Sequence, residues 1–587
     1  MFILKNHCNI YFKNIILNKR FFFKNNYNND FKPKYIIIGA GSAGCVLANR
    51  LTENDNNGNV LLIEAGPKDY WWNWKIHMPA ALMYNLCNDK YNWYYNTVPQ
   101  KNLNNRQIYW PRGKLWGGSS SINAMCYVRG HPQDFNRWDK EGAKGWDYLG
   151  CLPYFKKAQT HELSIGYNDP FRGYNGPLHV KQGDCTNELH KAFFNAGKEL
   201  GWKMLDDQNG IETEGLSKMD MTIKNGERYS ASKAYLWDST KRKNLKVLSN
   251  TIVLKIIMDG KKAIGVKCIN NKTKEQFNIY CDDSVILSGG AINTPQLLLL
   301  SGIGDFEHLK KKNIPLIHEL PGVGLNLQDH LEIYVQYKCK KPITLYNKSS
   351  WKFPHNMIKS GLQWFISKNG VCASSHLESG GFVKSSNDIE HSDIQFHFLP
   401  STVHDDGRKN GTCHGFQVHV GPMRPKSVGK IRLADNNPLN HPIIDPNYMS
   451  HDDDWKVFRK CIEISREIFK QKAFDEYKDI ELAPGKDVIG YEKIDDFIRN
   501  KSASAYHASC SCKMGNENDY LNVVNAETMN VIGLNGLKIV DASVMPSIIS
   551  ANLNATTIMI AEKASDIILG KEPLRSDENI YTMNKNN

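Results

Sequence analysis

Gly39, Gly41 and Gly44 in YIIIGAGSAG (Tyr35 to Gly44), with Glu64 ending the apolar run VLLIE, are residue types at the spacing that grips a dinucleotide. Each glycine has a separate reason. The first permits a tight turn, the second lets backbone approach a pyrophosphate, and the third lets a helix pack closely on a strand. Glu64 stands 20 residues beyond Gly44, where a carboxylate accepts hydrogen bonds from adenosine ribose hydroxyls. FAD and NAD share this grip, so both remain open at this point. A ligand-free glycine turn is the alternative, but the preceding strand, the following helix and the acid all favour a dinucleotide.

Two further groupings carry chemistry. In PRGKLWGGSSSIN, Gly117, Gly118, Ser119, Ser120 and Ser121 let backbone amides approach a ligand, and Ile122 and Asn123 are expected to open a helix. His507, Cys510 and Cys512 superficially resemble metal ligands, but the HxxC spacing and the lack of a fourth ligand argue against a metal. The 14 cysteines include no CxxC pair, which speaks against a zinc module and a disulfide framework.

The elements that must position these groups are legible as strands stopping at small or acidic residues just before helices. Tyr35–Ile38 leads into a helix from Ser42 to Arg50, and SVILSGG into a helix at Asn293 to Leu300 with Pro295 in its first turn. LKIV leads past Asp541 and Ala542 to a helix at Ala555 to Leu569. Such strands line a nucleotide crevice, so that domain is expected to be assembled from separated segments. From about Leu331 to Lys501 alternating strings, DIQFHF, FQVHV and KIRL, predict an antiparallel sheet with polar and apolar faces, flanked by a helix near Trp455 to Phe469.

With 587 residues and 41% hydrophobic content, the chain has material for two substantial domains. Five basic side chains against Asp30 place +4 of the formal +13 charge in the first 30 residues. Acid-free and mixed with Phe, Ile and Leu up to Asn29, that segment reads as an organelle-targeting presequence or a disordered extension. No basic–aromatic tract marks a nucleic-acid partner, and no run of about 18 apolar residues marks a spanning helix. Peripheral membrane contact stays open.

Five long strings resemble the glucose-methanol-choline (GMC) family of FAD oxidoreductases. They are GKLWGGSSSINAMCYVRG, GAINTPQLLLLSGIG, PGVGLNLQDH, YHASCSCKMG and VDASVMPSIISANLNATTIMIAEKA, in the family's order. Strings outside these signatures, including NDKYNWYYNTVPQ, HLESGGF, DIQFHFLPS and HVGPMRPKSVG, are similar to the members that oxidise choline. The resemblance implies an α/β (overall α+β) fold. A GMC-type FAD domain with a central parallel sheet would comprise 32–160, 226–330 and 501–572. A substrate domain with a mixed or antiparallel sheet under helices would comprise 161–225 and 331–500. Residues 1–31 would be the presequence and 573–587 a tail.

The resemblance further implies FAD in place of NAD, and oxidation of choline to betaine aldehyde. It implies a respiratory quinone as acceptor and a mitochondrial, inner-membrane setting, with a cytoplasmic one as the alternative. Ile122 stands where some relatives have a flavin-binding histidine, so FAD is expected to be noncovalent. Its contacts would be Gly39, Gly41, Ser42, Gly44, Glu64, Arg112, Gly113, Gly117, Gly118, Ser119, Asn123, Val253, Asp541 and Ala542. His507 matches the family's catalytic histidine, Asn554 the adjacent His or Asn position, and His397 is a further alkoxide stabiliser or a strand histidine. A permanent trimethylammonium calls for a carboxylate and aromatic faces, for which Glu378, Tyr506 and Trp364 are the candidates. Another alcohol, an oxidase, or a non-catalytic flavin-binding scaffold at a membrane are the rival readings.

Overall fold

The structure, a computed structural model, describes residues 31–166, 169–405 and 407–581. The expected presequence thus lies outside the described residues except for its last position. Tyr35–Ile38, Val60–Ile63 and Ser284–Leu287 are short, β-branched or leucine-rich, and buried at every position. Strands covered on both faces have that composition. They form a five-stranded, all-parallel sheet in the order 245–248, 60–63, 35–38, 284–287, 537–539. Strand order reverses beside Tyr35–Ile38, which opens a crevice at the carboxyl ends. Gly39 follows that strand with φ of +99°, and a Cβ there would lie 2.5 Å from the Ser288 carbonyl oxygen. A Cβ on Gly44 would lie 1.9 Å from the Gly39 oxygen, so the helix Ser42–Leu51 packs on the strand only with glycine at that position.

A mixed sheet carries the order 478–483, 331–339, 415–422, 394–399, 379–383, 215–218, 204–205, and Ala503–Ser504 also pairs with Leu331–Cys339. Its own core includes Phe398, Phe416, Phe469 and Phe474, with the Phe416 and Phe469 rings 5.3 Å apart. Phe469 comes from the helix Asp452–Lys470, which opens with three acids and closes with Lys470, matching its dipole.

Four local expectations are corrected. Ile394–Leu399 is buried throughout, with no solvated face, because its polar side chains turn into a cavity. Lys430–Arg432 leaves the large sheet and pairs with Ile443–Asp445 instead. The 3-10 turn Gly118–Ser121 ends at Ile122, and no helix follows, since Met125 adopts a φ of +64°. The helix expected from Asn293 begins at Gly290, so Pro295 falls in its second turn. The carbonyl that Pro295 leaves without a partner, on Ala291, accepts the Ser511 hydroxyl at 2.6 Å.

Candidate active site

A cavity of about 1110 Å³ runs between the carboxyl ends of the parallel strands and one face of the mixed sheet. Ile38, Ile63 and Leu287 line it from the first side, and Glu332, Tyr334, Gln395, His397 and His419 from the second. His507, Asn552 and Asn554 line it from the C-terminal segments.

At its nucleotide end, Gly41 precedes the helix Ser42–Leu51, whose N-terminus no side chain caps. A Cβ on Gly41 would meet nothing nearer than the Ser288 oxygen at 3.9 Å, so it would fill cavity space and not strike protein. That cradle, with free amides at a helix N-terminus, suits a pyrophosphate. Glu64 accepts the amides of Ala40 and Gly66, both at 2.8 Å, and burial raises its pKa to about 7 against those bonds. Its remaining lone pairs are suited to ribose hydroxyls. Arg112 is half-buried, donates to the Tyr506 carbonyl at 2.8 Å and retains a partnerless Nη2. The donor set and the cradle therefore fit a dinucleotide such as FAD.

Gly113, Gly118, Ser119, Asn123, Val253 and Ala542 also line the cavity. Gly44 and Gly117 do not; they act through packing, Gly117 donating to the Ala40 carbonyl at 2.7 Å. Asp541 lines the cavity while binding the Gly290 amide at 2.8 Å and the Thr294 hydroxyl at 2.6 Å.

Around His507 the hydrogen bonds fix the proton positions. His330 is buried and its Nε2 lies 3.0 Å from the Met423 carbonyl, which only accepts, so Nε2 carries the proton. Its Nδ1 is then an acceptor, and His507 Nδ1, 2.9 Å away, must donate. The His507 Nε2 lone pair is left for Asn552 Nδ2 at 3.2 Å, while Asn552 Oδ1 accepts from Gln395 at 3.1 Å. Burial, followed by neighbouring His330, His397 and Arg112, holds the His507 pKa well below the usual histidine range. His507 is thus a neutral imidazole whose Nε2 acceptor, engaged by the Asn552 amide, can take a hydroxyl proton when a substrate hydroxyl displaces that amide. Tyr506 beside it adopts a φ of +65°, uncommon for an aromatic residue.

His397 is buried, its Nε2 has no hydrogen-bond partner, and burial lowers its pKa to about 4 with Glu332 opposing. Glu332 is held by a second chain of defined protons. Gln417 Oε1 accepts the Val403 amide at 2.8 Å, so its Nε2 donates to His419 Nε2 at 2.7 Å. His419 Nδ1 then donates to Glu332 at 3.2 Å. A carboxylate therefore faces the cavity beside the Tyr334 ring, which lies 4.2 Å from that of His419.

Three expected residues are placed elsewhere. Asn554 does not reach His507; it accepts the Ser42 hydroxyl at 2.7 Å beside the glycine cradle. Asn552 occupies the expected position because it, and not Asn554, is the N-cap of the helix Leu553–Ile568. Glu378 is buried away from the cavity, accepting the Cys185 amide at 2.8 Å with His190 Nε2 at 3.7 Å. Trp364 is a packing residue, buried against Met78 and Ala81 and donating to the Gly226 carbonyl at 2.8 Å. Tyr506 does line the cavity. Asn552, Glu332, His330 and His419 escaped the sequence reading, although Glu332 lies two residues after His330, at the start of the alternating strand Leu331–Cys339. No cluster of metal-ligating side chains occurs among the described residues.

Residues 33–332 and 425–561 each match a family model described as GMC oxidoreductase. The chain is 52% identical to mitochondrial choline dehydrogenase of Mus musculus over 93% of its length and 91% of the relative. It is 46% identical to oxygen-dependent choline dehydrogenase of Staphylococcus xylosus over 92% of its length and 95% of the relative. Among solved structures, pyridoxine 4-oxidase from Mesorbium loti superimposes with a TM-score of 0.82 at 28% identity, covering 92% of this chain and 100% of that one. An FAD-dependent oxidoreductase from Chaetomium thermophilum gives 0.81 at 27% identity, covering 92% and 99%.

Proposed function

Because the chain belongs to the GMC oxidoreductase family, we propose that it is an FAD-dependent choline dehydrogenase that converts choline to betaine aldehyde. The observation that carries this reading is one cavity lined by a neutral, proton-accepting His507 and a carboxylate, Glu332, each held by defined hydrogen bonds. FAD supplies the acceptor for the carbon-bound hydride. The protein supplies everything that makes the alcohol ready to lose it.

His507 Nε2 takes the hydroxyl proton. The Asn552 amide and His397 Nε2 hold the oxygen as negative charge develops there. Glu332, with the faces of Tyr334 and Tyr506, receives the trimethylammonium, which cannot donate a conventional hydrogen bond and is drawn to charge and aromatic rings. His330 acts one step back, as the positioning residue that fixes the tautomer of His507. Ile122 is buried with Ile76, Tyr91 and Leu115 and offers no nucleophile, in keeping with noncovalent FAD.

The mitochondrial relatives support a mitochondrial location. We further infer association with the inner membrane and a respiratory quinone as electron acceptor. Oxygen, the acceptor named for the Staphylococcus relative, is the competing one. Steady-state oxidation of choline, measured with a quinone analogue and by oxygen uptake, decides the acceptor. Rapid turnover with the quinone analogue and slow oxygen uptake are expected. Equal turnover of choline and its uncharged tert-butyl isostere would reject choline as the substrate.

A further inference from the structure

The helix Pro354–Ser367 wears its apolar side outward. Only Trp364 is buried, anchoring the helix against Met78 and Ala81. Ile358, Leu362 and Ile366, at successive four-residue steps, are 59%, 55% and 84% exposed, and Trp351 just before the helix is 74% exposed. Isolated apolar side chains at a surface need no explanation, but a three-residue stripe with an exposed tryptophan beside it does. The patch continues through Phe365, whose ring lies 6.2 Å from that of Trp74, and on to Tyr84 at 5.5 Å from Trp74.

Charge singles out the partner. No acid occurs between Glu332 and Glu378, a stretch that carries seven lysines. Lys348, Lys352 and Lys359 make no ion pair among the described residues. An outward apolar stripe flanked by unopposed lysines is the pattern of an element lying in the interface of an anionic bilayer, with lysine stems reaching the headgroups. Among the described residues no helix is long and apolar enough to cross a membrane, so contact through them is lateral. The same helix borders the cavity through Met357, Gly361 and Phe365.

We propose that the outer face of Pro354–Ser367, with Trp351, docks this protein on an anionic lipid surface and sets the mouth of its cavity against the bilayer. It deepens the reading of a membrane quinone as acceptor, and the two fail separately. The test is cosedimentation of the full-length, FAD-loaded chain with vesicles of phosphatidylcholine and cardiolipin, against phosphatidylcholine alone. Ile358, Leu362 and Ile366 do not line the cavity, so the triple variant Ile358→Glu, Leu362→Glu, Ile366→Glu should keep its turnover with a soluble dye acceptor. Its vesicle-bound fraction should fall at least roughly tenfold. Binding of the unaltered protein should weaken in high salt and in Lys352→Glu, Lys359→Glu.

Vesicle binding by the triple variant equal to that of the unaltered protein would overturn the proposal. So would failure of the unaltered protein to bind, or loss in the triple variant of a dimer that never binds vesicles, which would make the face a contact between copies. Vesicle binding without reduction of embedded quinone would remove the acceptor and leave the docking intact. Loss of dye-linked choline turnover in the unaltered protein would instead defeat the proposed function.

Discussion

The tautomer of His507 is set at a backbone carbonyl two residues away in the hydrogen-bond chain, so the residue that matters beside the base is one that touches no substrate. His330→Leu should leave the fold intact and lower kcat about tenfold to a hundredfold with little change in KM, because Nδ1 of His507 loses its acceptor. Stopped-flow flavin reduction reads that split, and a change confined to KM would contradict it. The paired asparagines separate in the same assay. Asn552→Ala should slow reduction by about a hundredfold. Asn554→Ala should mainly weaken flavin retention, since its partner is Ser42 in the dinucleotide cradle. For the carboxylates, Glu332→Gln should raise the KM for choline by roughly 30-fold or more. Glu378→Gln should change stability while sparing KM. That His507 and His397 share one cavity was legible through motif context. Asn552 and Glu332 were not, because helix boundaries drift by a few residues in sequence and an alternating strand does not say which of its faces meets the ligand.

At the scale of elements, the glycine turn and the two helices that meet across it carry the nucleotide end. Gly41→Ala should yield folded protein with reduced flavin content, because the added methyl enters cavity space. Gly44→Ala should yield little folded protein, because its methyl strikes the Gly39 carbonyl. Flavin absorbance and circular dichroism together distinguish these outcomes. The helices Ser42–Leu51 and Leu553–Ile568 are joined by Arg50 and Glu562 in a two-point pair at 2.7 and 2.8 Å, with Glu562 buried. Glu562→Leu leaves Arg50 with Glu53 alone and takes the carboxylate from the buried Tyr235 hydroxyl, and should cost about 3 kcal/mol in denaturant unfolding. The parallel strands were plain in sequence because burial on both faces leaves an unbroken apolar run. DIQFHF misled because its polar positions face an internal cavity, a covering that alternation cannot distinguish from water.

In the whole molecule, one cavity joins residues separated by most of the chain. Its nucleotide cradle begins at Gly39 and the proposed base stands at His507. Two cores, one around the parallel sheet and one around the mixed sheet, hold the walls in register. With Ile122 in place of a nucleophile, acid denaturation should release all FAD and leave no flavin-bearing peptide by mass spectrometry. The central claim, choline oxidation with His507 as the base, is tested most directly by mixing choline anaerobically with the FAD-loaded protein and following the flavin absorbance. Choline should bleach the flavin fully, and His507→Ala should slow bleaching by about a hundredfold or more while retaining FAD. Bleaching at an unchanged rate in His507→Ala, or none in the unaltered protein, would contradict the account.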